Sequence, residues 1–373
     1  MGENNLNNRL FGTSLDFIQR CIEEIDPVAY GKSRNFIDGQ VTYLSPYISR
    51  GVISTKQVLK AVLSKGYSPY HIEKFIQELA WRDYWQQIWI AKESAIDQDL
   101  KHPQPDVQSQ GIPVSVVKSQ TGIEAIDSAV NAFYKTGYLH NHVRMYIASI
   151  CTNMAKCHWK QPAQWMYYYL LDGDWASNAL SWQWVAGANS NKKYYANQGN
   201  INKFCYSQQQ NTFLDVSYDE LPVMDIPKVL TETETFILRT DLPSSEKIII
   251  DTSLPTLIYN YYNLDPHWKS EEKANRVLLL EPSHFLKYPV SNKSIQFIQD
   301  LAKNISGIQI FVGEFHDLVH TYSPKVIYFK EHPTNLHYQG IQEDRDWMFS
   351  VTGYFPSFFG FWKKCKKELK YRA

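Results

Sequence analysis

The spacing of apolar residues changes once along this chain, and that change limits the architectures open to it. Up to about residue 205, apolar side chains recur at helical spacing in segments punctuated by Gly, Pro and Ser: 13–25, 55–63, 70–92, 122–136, 141–156 and 162–171. Within 70–92, Ile72, Phe75, Ile76, Leu79 and Ile88 recur three to four apart and give an amphipathic face. Residues 206–246 then bring SQQQNT, Pro222, Pro227 and an acidic TETET stretch, the composition of a connector. Beyond it come short apolar β-rich runs at 247–251, 277–281, 308–312 and 325–329, with a helix expected over 292–304. Buried strands alternating with helix predict a parallel α/β layer. The fold class expected is mostly α, a helical domain over residues 1–220 followed by a smaller α/β domain over 240–373. The tail FPSFFGFWKKCKKELKYRA reads as a basic amphipathic helix.

Composition narrows the function classes. A chain of 373 residues with 44% hydrophobic content has room for two or three cores and is neither disordered nor a small disulfide scaffold. No stretch approaches the roughly 20 apolar residues of a membrane span, and MGENNLNNRL lacks the order of a signal peptide, so a cytoplasmic protein with no membrane partner is expected. The five cysteines form no CxxC pair, which predicts reduced thiols. The 38 basic and 38 acidic side chains cancel. Residues 130–205 nonetheless carry Lys135, Arg144, Lys156, Lys160, Lys192, Lys193 and Lys203 against only Asp172 and Asp174, a local positive excess.

Three stretches mix polar groups with aromatic rings. In LLDGDWASNALSWQWVAG (170–187), Asp172, Asp174 and Asn178 are interleaved with Trp175, Trp182 and Trp184. Such a mixture suits a pocket that hydrogen-bonds a planar ligand between stacking rings, and suits equally a capped helix with core tryptophans. In HNHVRM (140–145) the His140-x-His142 pair has no further His or Cys cluster beside it, so no metal site is expected, and Arg144 is expected to pair with a carboxylate such as Asp172. In ELAWRDYW (78–85), Glu78 and Arg82 stand at i, i+4, where an ordinary surface pair can form.

Taken in order, VTYLSPYISRGVIS (41–54), ELAWRDYW, TGIEAID with GYLHNHVRMYIAS (121–149) and DGDWASNALSWQW resemble the FAD-binding helical domain of the photolyase/cryptochrome family, over about residues 25–205. The resemblance implies a photolyase-like helical domain with non-covalent FAD. Tyr30, Thr42, Leu44, Ser45 and Arg82 would lie near its phosphates or ribityl chain, where hydroxyls and a guanidinium suit a pyrophosphate. Arg144 and Asp172 would pair against the flavin ring, with Asp174 beside it and Asn178 facing N5. The resemblance further implies a substrate site for UV-damaged DNA. Glu78 would hydrogen-bond a flipped pyrimidine dimer, Trp81 and Trp184 would wall it, and Asn141 and Met145 would line it. Excited reduced flavin would then donate an electron to split the cyclobutane ring, the activity of a deoxyribodipyrimidine photo-lyase. Trp182 and Trp159 match the first two members of the family's tryptophan relay. The outer position falls near Asp106, where no tryptophan stands, so electron delivery from the surface would use another aromatic, such as one of the tyrosines 167–169, or be poor.

Departures from the family pattern are as plain. His142 replaces an arginine, Tyr138 a tryptophan and Val41 a threonine, and only Cys205 occurs where the iron–sulfur branch needs several cysteines. An α/β antenna domain usually precedes the flavin domain, whereas about 25 residues do so here. ANRVLLLEPSHF, SIQFIQDLAKNISGIQIFVGEF and SPKVIYFKEHP look like pieces of such a domain in permuted order, and an unrelated α/β module fits them as well. No second chromophore is assigned, Glu281, His284 and Glu331 read as strand-end polar residues, and a monomer without an assigned protein partner is expected. Three functions stay open: dimer repair, a cryptochrome-like photoreceptor, and a flavoprotein with dark redox chemistry.

Overall fold

The computed structural model describes residues 11–245 and 247–369. They gather into two compact units, neither of them one continuous stretch. One takes the described residues up to Pro27 with Thr42–Ala91 and those from Arg239 on, and the other takes Val28–Val41 with Lys92–Leu238. Most of the candidate residues are carried or flanked by α1 (Glu73–Lys92), α2 (Glu124–Thr136), α3 (Asn141–Ser149), α4 (Lys160–Tyr169), α5 (Trp175–Ala186) and α6 (Phe358–Leu369).

The unit holding both α1 and α6 is built on a parallel sheet of β1 (Thr256–Tyr259), β2 (Asn275–Leu280), β3 (Ile308–Val312), β4 (Ile327–Lys330) and β5 (Ile341–Glu343). Their spatial order is β3-β2-β1-β4-β5, so the chain reverses its direction of winding between β1 and β4, as in doubly wound α/β folds. Ile258, Val277, Leu279 and Phe329 from the strands pack with Phe315 and Leu318 of the helix Phe315–Tyr322 into one apolar cluster. In the same unit the helix Thr55–Ser64 starts at a capping box, in which Ser54 and Gln57 satisfy each other's backbone N–H groups.

The expected strands needed correction. The run 247–251 is not a strand: the Gln309 side chain accepts from Ile249 N at 2.8 Å and donates to Ile249 O at 2.8 Å, so a side-chain amide stands in for a ladder. The central strand β1 and the edge strand β5 were not foreseen. β1 has only four residues, follows Pro255 and runs into Asn-Tyr-Tyr-Asn, so its buried TLIY shows no alternation to read.

Where β1 ends, the loop before the helix Thr55–Ser64 closes on it. Leu264 N donates to Arg50 O at 2.8 Å, and the buried Arg50 guanidinium sits 3.6 Å from the Tyr261 ring centroid, a cation–π contact. Gly51 has φ +67, and a Cβ built on it would lie 2.5 Å from Tyr262 O.

Asp83 is a buried carboxylate on α1 that accepts from Thr55 Oγ1 at 2.9 Å and from Met348 N at 3.0 Å. Burial pushes its pKa up to about 6, against the opposing pull of these bonds and of Arg345 and Arg82. A carboxyl whose folded pKa exceeds its unfolded value takes up protons more readily when folded, so its contribution to stability grows as pH falls from about 6 to about 4. Between pH 7 and pH 4, wild type is therefore expected to gain roughly 2–3 kcal/mol relative to Asp83→Asn. Urea unfolding of both proteins at the two pH values checks this, and parallel pH profiles would refute it.

In the other unit, α2 ends at Gly137, whose left-handed φ of 68 lets the chain turn and accept from Leu171 N at 2.9 Å. That bond sets the DGD turn beside the start of α3. The expected helix over 141–156 stops as an α-helix at Ser149 and continues as a wholly buried π-turn, Ile150–Met154. The connector stretch is tied back into this unit, with Thr233–Glu234 paired antiparallel to Ile112–Pro113.

Candidate functional site

The DGD turn places its two carboxylates differently. Asp174 caps α5, its Oδ1 accepting from Ser177 N at 2.7 Å. Asp172 is buried and receives Arg144 Nη2 on both oxygens at 3.0 Å, while Arg144 Nε donates to Leu139 O at 2.8 Å. Arg144 Nη1 donates to no group among the described residues, so one face of the guanidinium remains as an open donor beside a buried pair. One turn into α5, buried Asn178 donates Nδ2 to Ala163 O at 2.8 Å. That carbonyl can only accept, so the amide orientation is determined and Oδ1 is the open acceptor.

Trp159 and Trp182 are both buried in this unit, and Trp159 Nε1 donates to Asp99 Oδ1 at 2.7 Å. Among the described residues no ring contact joins the two indoles. Asp106, at the expected outer position, is two-thirds exposed and pairs with Lys193 at 2.8 Å. Tyr167 lies edge-on to Trp175 at 5.4 Å, whereas Tyr169 joins Tyr134 at 4.8 Å. Trp184 is 39% exposed, at 6.1 Å from Tyr194.

At the start of α3, Asn141 is exposed and Met145 half-buried. His140 caps the helix through Nδ1, which accepts from His142 N at 3.2 Å, and burial pushes its pKa down to about 4. His142 Nδ1 meets Asn35 O at 3.0 Å and its ring lies 4.6 Å from Phe204, so both imidazoles serve local packing. Tyr30 lies half-buried on the short helix Pro27–Ser33.

The remaining expected residues belong to the unit with the sheet. Thr42 Oγ1 accepts from Leu44 N at 3.4 Å across the left-handed Tyr43, and Ser45 opens the helix Ser45–Ser49, whose last residue receives Arg82 Nη1 at 2.7 Å. Glu78 pairs with Lys74 at 3.2 Å, one turn back along α1. The Trp81 ring is stacked on Phe358 of α6, with centroids 3.8 Å apart and planes 9° from parallel. Phe358 and Asp83 were not foreseen from the sequence. The alternation of buried and exposed positions in α6 was visible, but a partner nearly 280 residues away leaves no local signal.

Residues 75–215 match the family described as FAD binding domain of DNA photolyase. The chain is similar to the deoxyribodipyrimidine photo-lyase of Streptomyces griseus, at 31% identity over 40% of this chain and 33% of that one. Its similarity to the enzyme of the same name from Alkalihalophilus pseudofirmus is 27% over 41% of this chain and 32% of that one. The chain thus spans about a third of the length of these relatives. The crystal structure of a bacterial class III photolyase from Agrobacterium tumefaciens aligns at 20% identity and a TM-score of 0.43, over 56% of this chain and 53% of that one. No helix of the described residues is long and apolar enough to cross a membrane.

Proposed function

We propose that this chain, whose residues 75–215 match the FAD binding domain of DNA photolyase, is a member of the photolyase/cryptochrome family and a light-driven DNA repair enzyme that reverses cyclobutane pyrimidine dimers. The observation that carries this reading is the half-buried Arg144 paired to the buried Asp172, with its open Nη1 donor, beside an Asn178 amide whose acceptor is the open end. An acceptor oxygen suits a flavin that carries a proton on N5, the reduced form such repair requires. FAD, when bound and reduced, supplies the electron that light promotes into the dimer.

The chain's own residues orient and exclude. Arg144, fixed by Asp172 and Leu139 O, presents a planar fork of donors in one orientation, and Asp174 keeps the first turn of α5 wound so that Asn178 stays in register. Tyr30, Thr42, Leu44, Ser45 and Arg82 are assigned to the phosphates and ribityl chain, with Trp182 and Trp159 as electron donors. The family resemblance is what assigns Glu78 as the anchor of an extruded dimer and Trp81, Trp184, Asn141 and Met145 as lining residues, and the lysines of residues 130–205 supply positive charge for a phosphate backbone.

The test is illumination of the FAD-loaded protein with a dimer-containing oligonucleotide, reading dimer loss by absorbance. Reversal is expected, and Glu78→Ala is expected to slow it at least tenfold with FAD still bound. Photobleaching of the flavin without dimer loss would move the protein to the second reading, a cryptochrome-like photoreceptor. The stacking of Phe358 on Trp81 favours that second reading, because it occupies a wall that repair needs.

A further inference from the structure

We infer that the C-terminal segment is an internal occupant of the stacking position on Trp81, held there by Phe358, and that a nucleobase gains that position only by displacing it. The identity of the competitor rests on the repair reading; the occupancy rests on geometry. A 3.8 Å centroid separation with planes 9° apart is the arrangement a stacked base would adopt. Trp85 lies tilted against Trp81 at 5.0 Å and Tyr84 meets it edge-on at 5.5 Å, so the ring is already enclosed by aromatic neighbours. Phe358 itself is 3% exposed.

The segment is fastened along its length: α6 buries Phe358, Phe361, Trp362, Cys365 and Leu369, and polar bonds join the segment to α1. It runs against the direction of α1, with Gly353 N on Gln87 Oε1 at 2.9 Å, Phe355 O accepting from Tyr84 Oη at 3.1 Å, and Lys366 Nζ on both Glu73 oxygens at 2.8 and 2.7 Å. Between Ser350 and Ser357 there is neither helix nor strand, and Gly353 has φ +95 with open space around its missing Cβ. The exposed irregular stretch before α6 is the place where the backbone can turn if α6 leaves, since no strand of the sheet runs through it. The Lys366–Glu73 anchor is partly exposed and weakens with salt.

The experiment uses the full FAD-loaded chain in the dark. A fluorescent single-stranded oligonucleotide with one thymine cyclobutane dimer, and its undamaged counterpart, are titrated against wild type, Phe358→Ala and Phe358→Leu. Leucine keeps an apolar side chain in the buried position but offers no flat ring, so it serves if the alanine variant fails to fold. Affinity for the dimer is expected to rise about tenfold in the variants, the lower range of what one stacked base contributes. The gain should vanish when Trp81→Ala is added. Unchanged or weaker dimer binding in both Phe358 variants overturns the inference. Dimer reversal under light, read on the same samples, decides the repair reading separately. Tighter binding without reversal keeps the occupancy and removes repair, and reversal with equal affinities in all three proteins does the opposite.

Discussion

Arg144→Ala is expected to lower the unfolding free energy by about 3 kcal/mol and to leave the purified protein largely without FAD. The reason is the charge that remains behind. Asp172, with its side chain 4% exposed, would lose the cation that holds both its oxygens. Breaking one half of a buried pair exposes the full desolvation penalty of the other half, which is larger than the net worth of the pair. Urea unfolding gives the first number and flavin absorbance after gel filtration the second. Arg144→Lys should retain part of the stability, because a point charge remains, but less of the flavin, because the planar fork is gone. An alanine variant of wild-type stability with a full complement of flavin would show that the pair serves neither fold nor cofactor.

Gly51→Ala is expected to cost at least about 3 kcal/mol, from two sources. A φ of +67 strains any residue with a Cβ, and the new atom would have to sit 2.5 Å from Tyr262 O and 3.1 Å from the Asn263 Cα, both backbone. Neither neighbour can rotate away, since Leu264 N is bonded to Arg50 O and Tyr261 lies beneath the Arg50 guanidinium. Thermal unfolding followed by circular dichroism would read the loss. A variant as stable as wild type would mean that the loop and the turn after β1 move apart at little cost.

The helical elements were legible because each carries its own period and punctuation. Ser54 before the helix Thr55–Ser64, Gly137 after α2 and Asp174 before α5 mark the ends at which the structure finds them. The pairing of Arg144 with Asp172 was also readable, since a cation amid helix residues near an acidic turn has few other partners. What resisted reading was non-local. The run 247–251 is as apolar as a strand, but it pairs with a glutamine side chain on β3, and no pattern within the run announces that. Thr42 and Arg82 likewise fall in one compact unit and Arg144 and Asn178 in the other, a division that comes from how distant segments pack.

The discontinuity of the sheet-bearing unit also bears on how the chain is made. Tyr84 waits for Phe355, 271 residues later, and at about 5–20 residues per second synthesis needs roughly ten to fifty seconds to deliver it. During that interval most of the other unit, Lys92–Leu238, emerges as one stretch and can fold, while α1 exposes Trp81, Tyr84 and Trp85 with no sheet and no α6 to cover them. The nascent chain therefore carries an uncovered aromatic ridge until α6, which follows all five strands of the sheet, is translated and closes it.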